Sequence, residues 1–503
     1  MDVTEYTSHL EARRFPLIWK GHMIGGEWKI PQKTKQVKTS YNPSRGTPLI
    51  EIRCDRQVVA DAVNVAAKAK HAYANITLPE RLELIRRFRQ ALTDFQHAAT
   101  LTLRLEAGKP AWEAEEAVHK ALQYLEWISS SGEIIMDQLR GPAKACSTPR
   151  SLEFKPIGVL AAYLPFASAM TSFALYFSSA VFSGCPLVLV CSGHATLSAM
   201  LYAMLAEKIG LPNGALNIVF GDFDSFKHAL SDKQVGAVLF AGSPEHCHTI
   251  RSESRAFGFY QQMVLQSGGK NTAIIHESAN VDQAIQIVAK GAFKSAGQLC
   301  TSTSRVFIPR SKAKEFNERI IETVTNLSIG PTDEPTTSPL SPAMGPLYSK
   351  KAVEKFLRFQ TMANRDAEET LLWGKAVNGP SGGFFVTPGV HFLKEVDEMS
   401  AYQGNILFCP DISIYPYDHF DSALEQINSS HATFATTYVG DPEALNQSKI
   451  RFMVPNLLVN LPTIEAEETF PLTGKAQNNL HMFNGAGILL YLMYPQSILY
   501  PQT

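Results

Sequence analysis

Phe293-Lys-Ser-Ala-Gly-Gln-Leu-Cys300-Thr-Ser-Thr-Ser-Arg305 places a cysteine at the end of a Gly-Gln-x-Cys turn. An apolar helical pattern precedes the turn, and a strand pattern over Arg305–Ile308 follows it. Leu265-Gln-Ser-Gly-Gly-Lys270 lies upstream, separated from the turn by that helix. A cysteine in such a turn can be presented as a nucleophile, whereas a free cysteine elsewhere is commonly a small buried hydrophobe. We predict that the Cys300 thiol faces a site.

The chain before the cysteine turn alternates between apolar strand patterns and helical patterns. Strands are predicted at Gly158–Tyr163, Leu187–Cys191, Leu216–Phe220, Val238–Phe240 and Met263–Leu265, with helices such as Leu197–Ile209 and Glu245–Ala256 between them. This alternation predicts right-handed βαβ units in a parallel sheet, which binds ligands at the carboxyl ends of its strands. No Gly-x-Gly-x-x-Gly occurs, so the usual dinucleotide fingerprint is absent.

A second α/β series contains the cysteine turn. Its predicted elements are helix Val281–Phe293, strand Arg305–Ile308, helix Ala313–Leu327, helix Lys351–Ala363, strand Ile406–Phe408, helix Phe420–Asn428 and strand Phe434–Val439. Near the end, the apolar run Gly487–Tyr494 is predicted to be a strand. Because such a strand is costly to expose, we expect it to add to a sheet of another subunit.

Composition narrows the classes of partner. The 503 residues carry 46 basic and 47 acidic side chains, a balance that argues against nucleic acid or an anionic membrane. The seven cysteines are scattered without a Cys-x-x-Cys pair, which is typical of a reduced, cytoplasmic protein. The first residues lack the pattern of a signal peptide. His246-Cys247-His248 has no second ligand cluster beside it, so we predict no metal site.

The stretch from Pro156 to Ala206 contains no Asp, Glu, Lys or Arg. It is long enough to hold a transmembrane helix. However, Pro165, Gly184 and Pro186 divide it into pieces of strand and helix length, and buried parallel strands are also continuous apolar runs. We therefore expect this stretch to lie inside a parallel α/β domain and predict no membrane association.

Motifs spread over nearly the whole chain indicate a family. They include Gly108-Lys-Pro-Ala-Trp-Glu113, Lys155-Pro-Ile-Gly-Val159, Gly210-Leu-Pro-Asn-Gly214, Phe240-Ala-Gly-Ser243, Gly297-Gln-Leu-Cys300 and Val459-Asn-Leu-Pro-Thr463. In this order they resemble the aldehyde dehydrogenase superfamily, and within it most of all the succinylglutamate semialdehyde dehydrogenases. The resemblance implies an α/β fold with a parallel NAD-binding-type domain (1–135 and 155–264). It also implies an α/β catalytic domain (265–455) and a small oligomerisation hairpin and tail (136–154 and 456–503).

The resemblance also implies roles for three site positions. Cys300 matches the thiolate that attacks the aldehyde. Ala167 stands where the family has the oxyanion-binding Asn of Pro-aromatic-Asn-Phe-Pro, and loss of one such donor typically costs about 10²–10³ in rate. Gln266 replaces the general base, the Glu of Leu-Glu-x-Gly-Gly. An amide cannot accept a proton near neutral pH, and general-base help is worth roughly 10²–10⁴.

NAD or NADP is the cofactor that the resemblance implies, but the expected ribose ligands are replaced. Val190 and Gly193 stand for the Lys and Glu of Lys-Pro-Ser-Glu, and Ala401 stands for the Glu of Glu-x-Phe-Gly-Pro. The remaining candidates for cofactor contact are Pro165, Phe166, Ser192, Gly242, Ser243, Gly268 and Gly404. We therefore predict weak cofactor binding.

These replacements favour a pseudoenzyme that is kept for assembly, as a homo-oligomer (dimer or tetramer) or with an active relative. One alternative is an active NAD(P)-dependent enzyme in which Gln266 or Gln403 substitutes as an amide donor and an aldehyde is the substrate. Another is cofactor-free acyl transfer or ester hydrolysis by Cys300.

Other polar side chains near these motifs also carry expectations. Gln298 is expected to be structural, and Lys270 to be solvated rather than bound to an acidic substrate. Glu465, Glu467 and Glu468 are candidates for a substitute base.

Overall fold

The computed structural model describes residues 1–31, 36–144, 150–256, 261–334, 342–377, 382–430, 432–466, 469–474 and 479–499. The helices are Val3–Glu11 (α1), Arg56–Ala74 (α2), Leu78–Asp94 (α3), Gln96–Glu106 (α4), Ala111–Lys144 (α5), Ala169–Ser183 (α6), Thr196–Lys208 (α7), Phe223–Leu230 (α8), Pro244–Ala256 (α9), Val281–Phe293 (α10), Arg310–Thr325 (α11), Lys350–Asp366 (α12), Phe420–Ser429 (α13), Pro442–Ser448 (α14) and Leu489–Leu492 (α15).

The strands of the first half are His22–Ile24 (β1), Glu27–Lys29 (β2), Val37–Asn42 (β3), Thr47–Arg53 (β4), Arg150–Pro156 (β5), Val159–Leu164 (β6), Leu187–Cys191 (β7), Leu216–Phe220 (β8), Val235–Ala241 (β9) and Gln262–Gln266 (β10). Those of the second half are Asn271–Ile275 (β11), Thr303–Pro309 (β12), Glu369–Leu372 (β13), Ala376–Val377 (β14), Phe385–Val386 (β15), Gly389–Phe392 (β16), Asp411–Tyr417 (β17), Ala435–Val439 (β18), Asn456–Val459 (β19), Asn479–Leu480 (β20) and Met493–Leu499 (β21).

The first sheet has the order β2-β1-β8-β7-β6-β9-β10-β20 and is parallel from β8 to β10. The chain starts this parallel part at β6, adds β7 and β8 on one side, and then returns to add β9 and β10 on the other. The strand order therefore reverses between β6 and β9. Open α/β sheets bind ligands at such a switch point, outside the carboxyl ends of the strands.

Both faces of this sheet are covered, which explains the charge-free stretch. On β6 and β7, Leu160 and Leu189 face the core shared with α6 and α7, while Ala161 and Val190 face the core shared with α2, α8 and α9. Strands buried on both faces carry no polar alternation. The interior position predicted for this stretch is confirmed. Among the described helices, none is long and apolar enough to cross a membrane.

The second sheet has the order β13-β16-β17-β12-β11-β18-β19, and all pairings are parallel except β13 with β16. The cysteine turn connects α10 to β12 in its middle. The predicted strand Ile406–Phe408 is wrong, since the chain there is irregular and Phe408 has a φ of 53°. Leu407 and Phe408 line a cavity instead of pairing. Of the seven described strands of this sheet, only β12 and β18 were predicted.

The predicted strand Gly487–Tyr494 is also wrong. Its apolar residues form a 3-10 turn (Gly485–Ile488) and α15, in which Ile488, Leu489 and Leu492 are buried in the core of the first sheet. The strand that follows, β21, pairs antiparallel with β5 of the same chain. Most of the apolar surface of the run is therefore buried within its own chain, while Leu490 and Tyr494 stay exposed, and pairing with another subunit stays a prediction.

The domain bounds stay a prediction, but the sheets place some strands differently. β19 belongs to the second sheet and β20 to the first, although both fall within the predicted oligomerisation tail 456–503. In the hairpin segment 136–154, α5 runs to Lys144 and β5 starts at Arg150. α1, near the start of the chain, was not predicted.

Two neighbouring leucines test the buried placement of α15. Leu489 is fully buried, whereas Leu490 is 44% exposed. We expect Leu489→Ala to lower the free energy of unfolding by about 2–5 kcal/mol. Leu490→Ala should change it by less than about 0.5 kcal/mol. Urea unfolding of both variants measures this, and equal losses would contradict the placement.

Candidate active site

The cysteine turn begins with an unusual backbone. After α10, Ser295 and Ala296 adopt φ values of 53° and 51°, and Gly297 one of 68°. Such left-handed backbone costs a non-glycine residue roughly 1–2 kcal/mol. Buried hydrogen bonds offset this cost, since the Ser295 N–H donates to Glu113 Oε2 at 3.1 Å and Lys109 Nζ donates to Ser295 Oγ at 2.6 Å. Helix α5 therefore helps to shape the turn.

The Cys300 backbone is fixed from the side of β11. Its carbonyl oxygen accepts hydrogen bonds from Asn271 Nδ2 at 2.9 Å and from the Gly269 N–H at 3.2 Å. Asn271 also donates to the Ser302 carbonyl at 2.9 Å and accepts from the Ala435 N–H at 2.9 Å. A Cβ on Gly268 would lie 3.2 Å from the Cβ of Cys300, so this residue leaves room for the cysteine.

Gln298 is structural, as predicted. Its Nε2 donates to the Ser295 carbonyl at 2.9 Å, and its Oε1 accepts from the Tyr348 N–H at 3.0 Å. Its side chain is buried. Gln298 therefore ties the turn to the segment that precedes α12.

Cys300 lines a cavity of about 550 Å³ at the switch point of the first sheet. The residue is half-buried, whereas the other described cysteines are buried. Eight residues of the predicted site line this cavity together: Pro165, Phe166, Ala167, Ser192, Gly242, Ser243, Gln266 and Cys300. The structure thus brings together segments that lie more than a hundred residues apart in the sequence.

Five other predicted positions do not line the cavity: Val190, Gly193, Gly268, Ala401 and Gly404. Val190 is fully buried in the core beneath α8 and α9. A Cβ on Gly193 would meet nothing within 4 Å, and Ala401 is exposed. Gly268 acts behind the cysteine, as described above.

Sequence reasoning missed several cavity residues. The rings of Phe166 and Tyr348 lie 4.2 Å apart, and His194 meets Tyr348 edge-on at 4.9 Å. Lys351 and Lys355 line the cavity from the exposed start of α12. Their spacing of four residues in a predicted helix placed them on one face, a signal that was available. The aromatic contacts join distant segments, which no local pattern predicts.

The expectation that Lys270 is solvated is wrong. Its side chain is 1% exposed, Nζ donates to the Tyr402 carbonyl at 3.3 Å, and the ammonium lies 5.2 Å from the centre of the Tyr402 ring. Burial lowers the pKa of Lys270 to about 8. The carbonyl and the ring compensate for lost hydration, so the lysine packs behind the cysteine turn instead of reaching a substrate.

Gln403 does not take over a catalytic or cofactor role. Its Oε1 accepts from the Asp397 N–H and from the Tyr415 hydroxyl, each at 3.0 Å, and the side chain is 4% exposed. It therefore holds its own loop, and it is absent from the cavity lining. The suggestion that Gln403 supplies an amide donor to the site is not supported by this placement.

Charged side chains form the cavity wall that is contributed by α5 and the cysteine turn. Lys294 Nζ lies 2.6 Å from Glu116 Oε1, and Lys109 pairs with Glu113. Glu465 pairs with Lys290 at 2.8 Å, so it is engaged in ion pairs and does not line the cavity. Glu467 and Glu468 lie outside the described residues. Within the described ranges, no group of three His, Cys, Asp or Glu residues could hold a metal ion.

Comparison with protein-family models shows to which family this chain belongs. The model of the aldehyde dehydrogenase family matches residues 28–498. This chain belongs to the aldehyde dehydrogenase family. Its fold supports that assignment, because a crystal structure of a Mycobacterium tuberculosis aldehyde dehydrogenase complexed with NAD+ superposes with a TM-score of 0.87. That structure is 22% identical and covers 96% of this chain and 98% of its own.

Relatives of this aldehyde dehydrogenase family member are named as semialdehyde dehydrogenases. The N-succinylglutamate 5-semialdehyde dehydrogenase of Paraburkholderia xenovorans (strain LB400) is 28% identical over 482 residues, covering 94% of this chain and 95% of the relative. The malonate-semialdehyde dehydrogenase 2 of Bacillus mycoides (strain KBAB4) is 27% identical over 475 residues, covering 93% and 96%. The likeness therefore extends over nearly the full length of both relatives.

The buried Lys270 gives this protein a testable pH dependence. Because its folded-state pKa of about 8 lies below the ordinary 10.5, the unfolded chain binds more protons between these pH values. The stability contributed by this group therefore rises with pH across that window. We expect wild type to gain stability relative to Lys270→Met between pH 8 and 10.5 in urea unfolding. Identical pH profiles would contradict the burial of a titrating lysine.

Proposed function

We propose that this protein is a pseudoenzyme of the semialdehyde dehydrogenase type, in which NAD(P)-dependent oxidation of an acidic semialdehyde is impaired. One observation carries this proposal: Ala167 and Gln266 line the same cavity as Cys300. The thiol is presented, but the two side chains expected to assist it offer a methyl group and a neutral amide. The named activities of the curated relatives support the substrate class.

Ala167 slows the first chemical step, the attack of the thiolate on the aldehyde. Attack of the Cys300 thiolate on an aldehyde carbon converts the carbonyl oxygen into an oxyanion, which must be met by hydrogen-bond donors. A methyl group donates none, and loss of one oxyanion donor costs about 10²–10³ in rate. Ala167 therefore leaves the oxyanion without the side-chain donor that the family motif supplies.

Release of the product, which follows hydride transfer, is impaired by Gln266. Release of the product requires water to attack a thioester on Cys300, and a base must accept the proton of that water. Gln266 is 5% exposed, and a side-chain amide can orient water but cannot accept its proton. The absence of a base at this position costs roughly 10²–10⁴. A thioester formed on Cys300 would therefore persist.

NAD or NADP supplies the hydride acceptor in this family when it is bound, but the residues present fit it poorly. Val190 is buried, Gly193 has no side chain and Ala401 lies away from the cavity, so none of them holds a ribose hydroxyl. Ser192 lines the cavity, but its Oγ is buried and, among the described residues, has no hydrogen-bond partner. For phosphate there remain the N-terminus of α9 and two exposed lysines, Lys351 and Lys355. We infer weak binding.

The retained scaffold supports a role in assembly, as a homo-oligomer or with an active relative in the cytoplasm. β5 and β21 form a separate two-stranded sheet, and β21 exposes Tyr494 by 50% and Leu499 by 73%. Open strand edges with exposed apolar side chains are suited to pairing with another subunit. This strand pair is present although an oxyanion donor and a base are missing beside Cys300.

Restoring the lost groups tests the proposal. We expect wild type to reduce saturating NAD or NADP with a carboxylated semialdehyde no faster than Cys300→Ser does. The double variant Ala167→Asn/Gln266→Glu should gain at least about 10²-fold, because it returns a donor and a base. Adding Cys300→Ser to the double variant serves as the matched control and should abolish the gain. Turnover by the wild type that is lost in Cys300→Ser would contradict the assignment as a pseudoenzyme.

A further inference from the structure

Helices α8 and α9 begin side by side above the switch point of the first sheet. α8 starts at Phe223, directly after β8, and α9 starts at Pro244, directly after Gly242 and Ser243. Both helices cover the face of the sheet that also packs against α2. Their first turns therefore border the carboxyl edge on which a ligand of the cavity would lie.

The gap between these first turns is closed by two rings. The centroids of Phe223 and His246 lie 3.9 Å apart, and their planes are 23° from parallel. Phe223 also meets Tyr163 at 6.2 Å and Phe240 at 5.7 Å, both edge-on. His246 meets Phe240 edge-on at 6.2 Å and lines the cavity. The stack is therefore seated on a packed aromatic layer at one end of the cavity.

A planar base cannot enter this gap as it stands. Two rings that sandwich a third must be about 7 Å apart, twice the usual contact distance of about 3.5 Å. The observed separation of 3.9 Å is that of a single contact. The floor below is apolar at Val190, which is buried and lies 3.4 Å from the Cβ that a side chain at Gly221 would add.

Two positions in the structure, Cys300 and the start of α9, constrain the course that a bound dinucleotide would take. Its reactive ring must reach Cys300, and its phosphates are suited to the N-terminus of α9, next to Ser243. The purine end must then lie beyond that helix start, on the side away from Cys300. On that side α9 faces α8, so the purine would lie in the gap that Phe223 and His246 close.

We propose that the stack of His246 on Phe223 closes the purine slot, so that His246 sets how tightly this protein holds an adenine dinucleotide. This inference rests on the proposed function for the class of cofactor, and it deepens that proposal by naming a residue which limits binding. An aromatic pair of this kind is worth roughly 2- to 12-fold in an equilibrium constant. A ligand that has to separate the two rings therefore binds with an affinity that is lower by that factor.

AMP is a suitable probe because it carries only the adenosine and phosphate part of the cofactor. We expect His246→Ala to bind AMP roughly 2- to 12-fold more tightly than wild type in calorimetric titration. Nicotinamide mononucleotide, which lacks the purine, should bind both proteins equally. The matched control is His248→Ala, an exposed histidine on the same helix, which should behave as wild type.

Phe223→Leu provides a second variant that keeps an apolar side chain but removes the stacked ring, and it should shift AMP affinity in the same direction. Unchanged or weaker AMP binding by His246→Ala would overturn the proposal, and weaker binding would mean that the imidazole stacks on the purine. Failure of every protein to bind AMP would overturn it too, because the obstacle would then lie elsewhere. Since AMP binding needs no aldehyde or thiol chemistry, these outcomes are independent of whether wild type oxidises a semialdehyde.

Discussion

Two hydrogen bonds to the carbonyl oxygen of Cys300 hold the thiol in place, one from Asn271 Nδ2 and one from the Gly269 N–H. Asn271 also bonds the carbonyl of Ser302 and the N–H of Ala435, so one side chain joins β11 to the cysteine turn and to β18. All of these partners are backbone groups. The position of the cysteine therefore depends on the scaffold and is independent of the side chains that would assist its chemistry.

This separation explains how a site can keep its nucleophile and lose its catalysis. Ala167 follows β6 and Gln266 ends β10, and neither takes part in the two hydrogen bonds to the Cys300 carbonyl. Substitution at these two positions leaves the cavity and the thiol in place while removing an oxyanion donor and a base. The aromatic stack at the far end of the cavity acts on a third requirement, because it competes with the purine of a cofactor. Each change affects chemistry or binding without disturbing the fold.

The sequence allowed much of the fold to be predicted because buried parallel strands are continuous apolar runs between helices of regular length. β7, β8 and α10 were predicted with the bounds that the structure has. The errors fall on short apolar runs, Ile406–Phe408 and Gly487–Tyr494, where periodicity cannot distinguish a strand from a turn of helix or a cavity wall. At the site, motif order identified Cys300, Ala167 and Gln266. The burial of Lys270 and the stacking of His246 depend on contacts between distant segments, which no local pattern reveals.

Mass spectrometry of the intact protein, after mixing with a carboxylated semialdehyde and NAD, measures acylation of Cys300 directly. If hydride transfer took place, an acyl thioester would remain on Cys300, because Gln266 cannot act as the base that releases it. The measurement would therefore detect even a single turnover. Because Ala167 slows the attack by about 10²–10³, we expect no acyl mass increase on the wild-type chain in the time that the Ala167→Asn variant takes to become fully acylated. An NAD-dependent acyl adduct that maps to Cys300 of the wild type within that time would contradict the loss of the oxyanion donor.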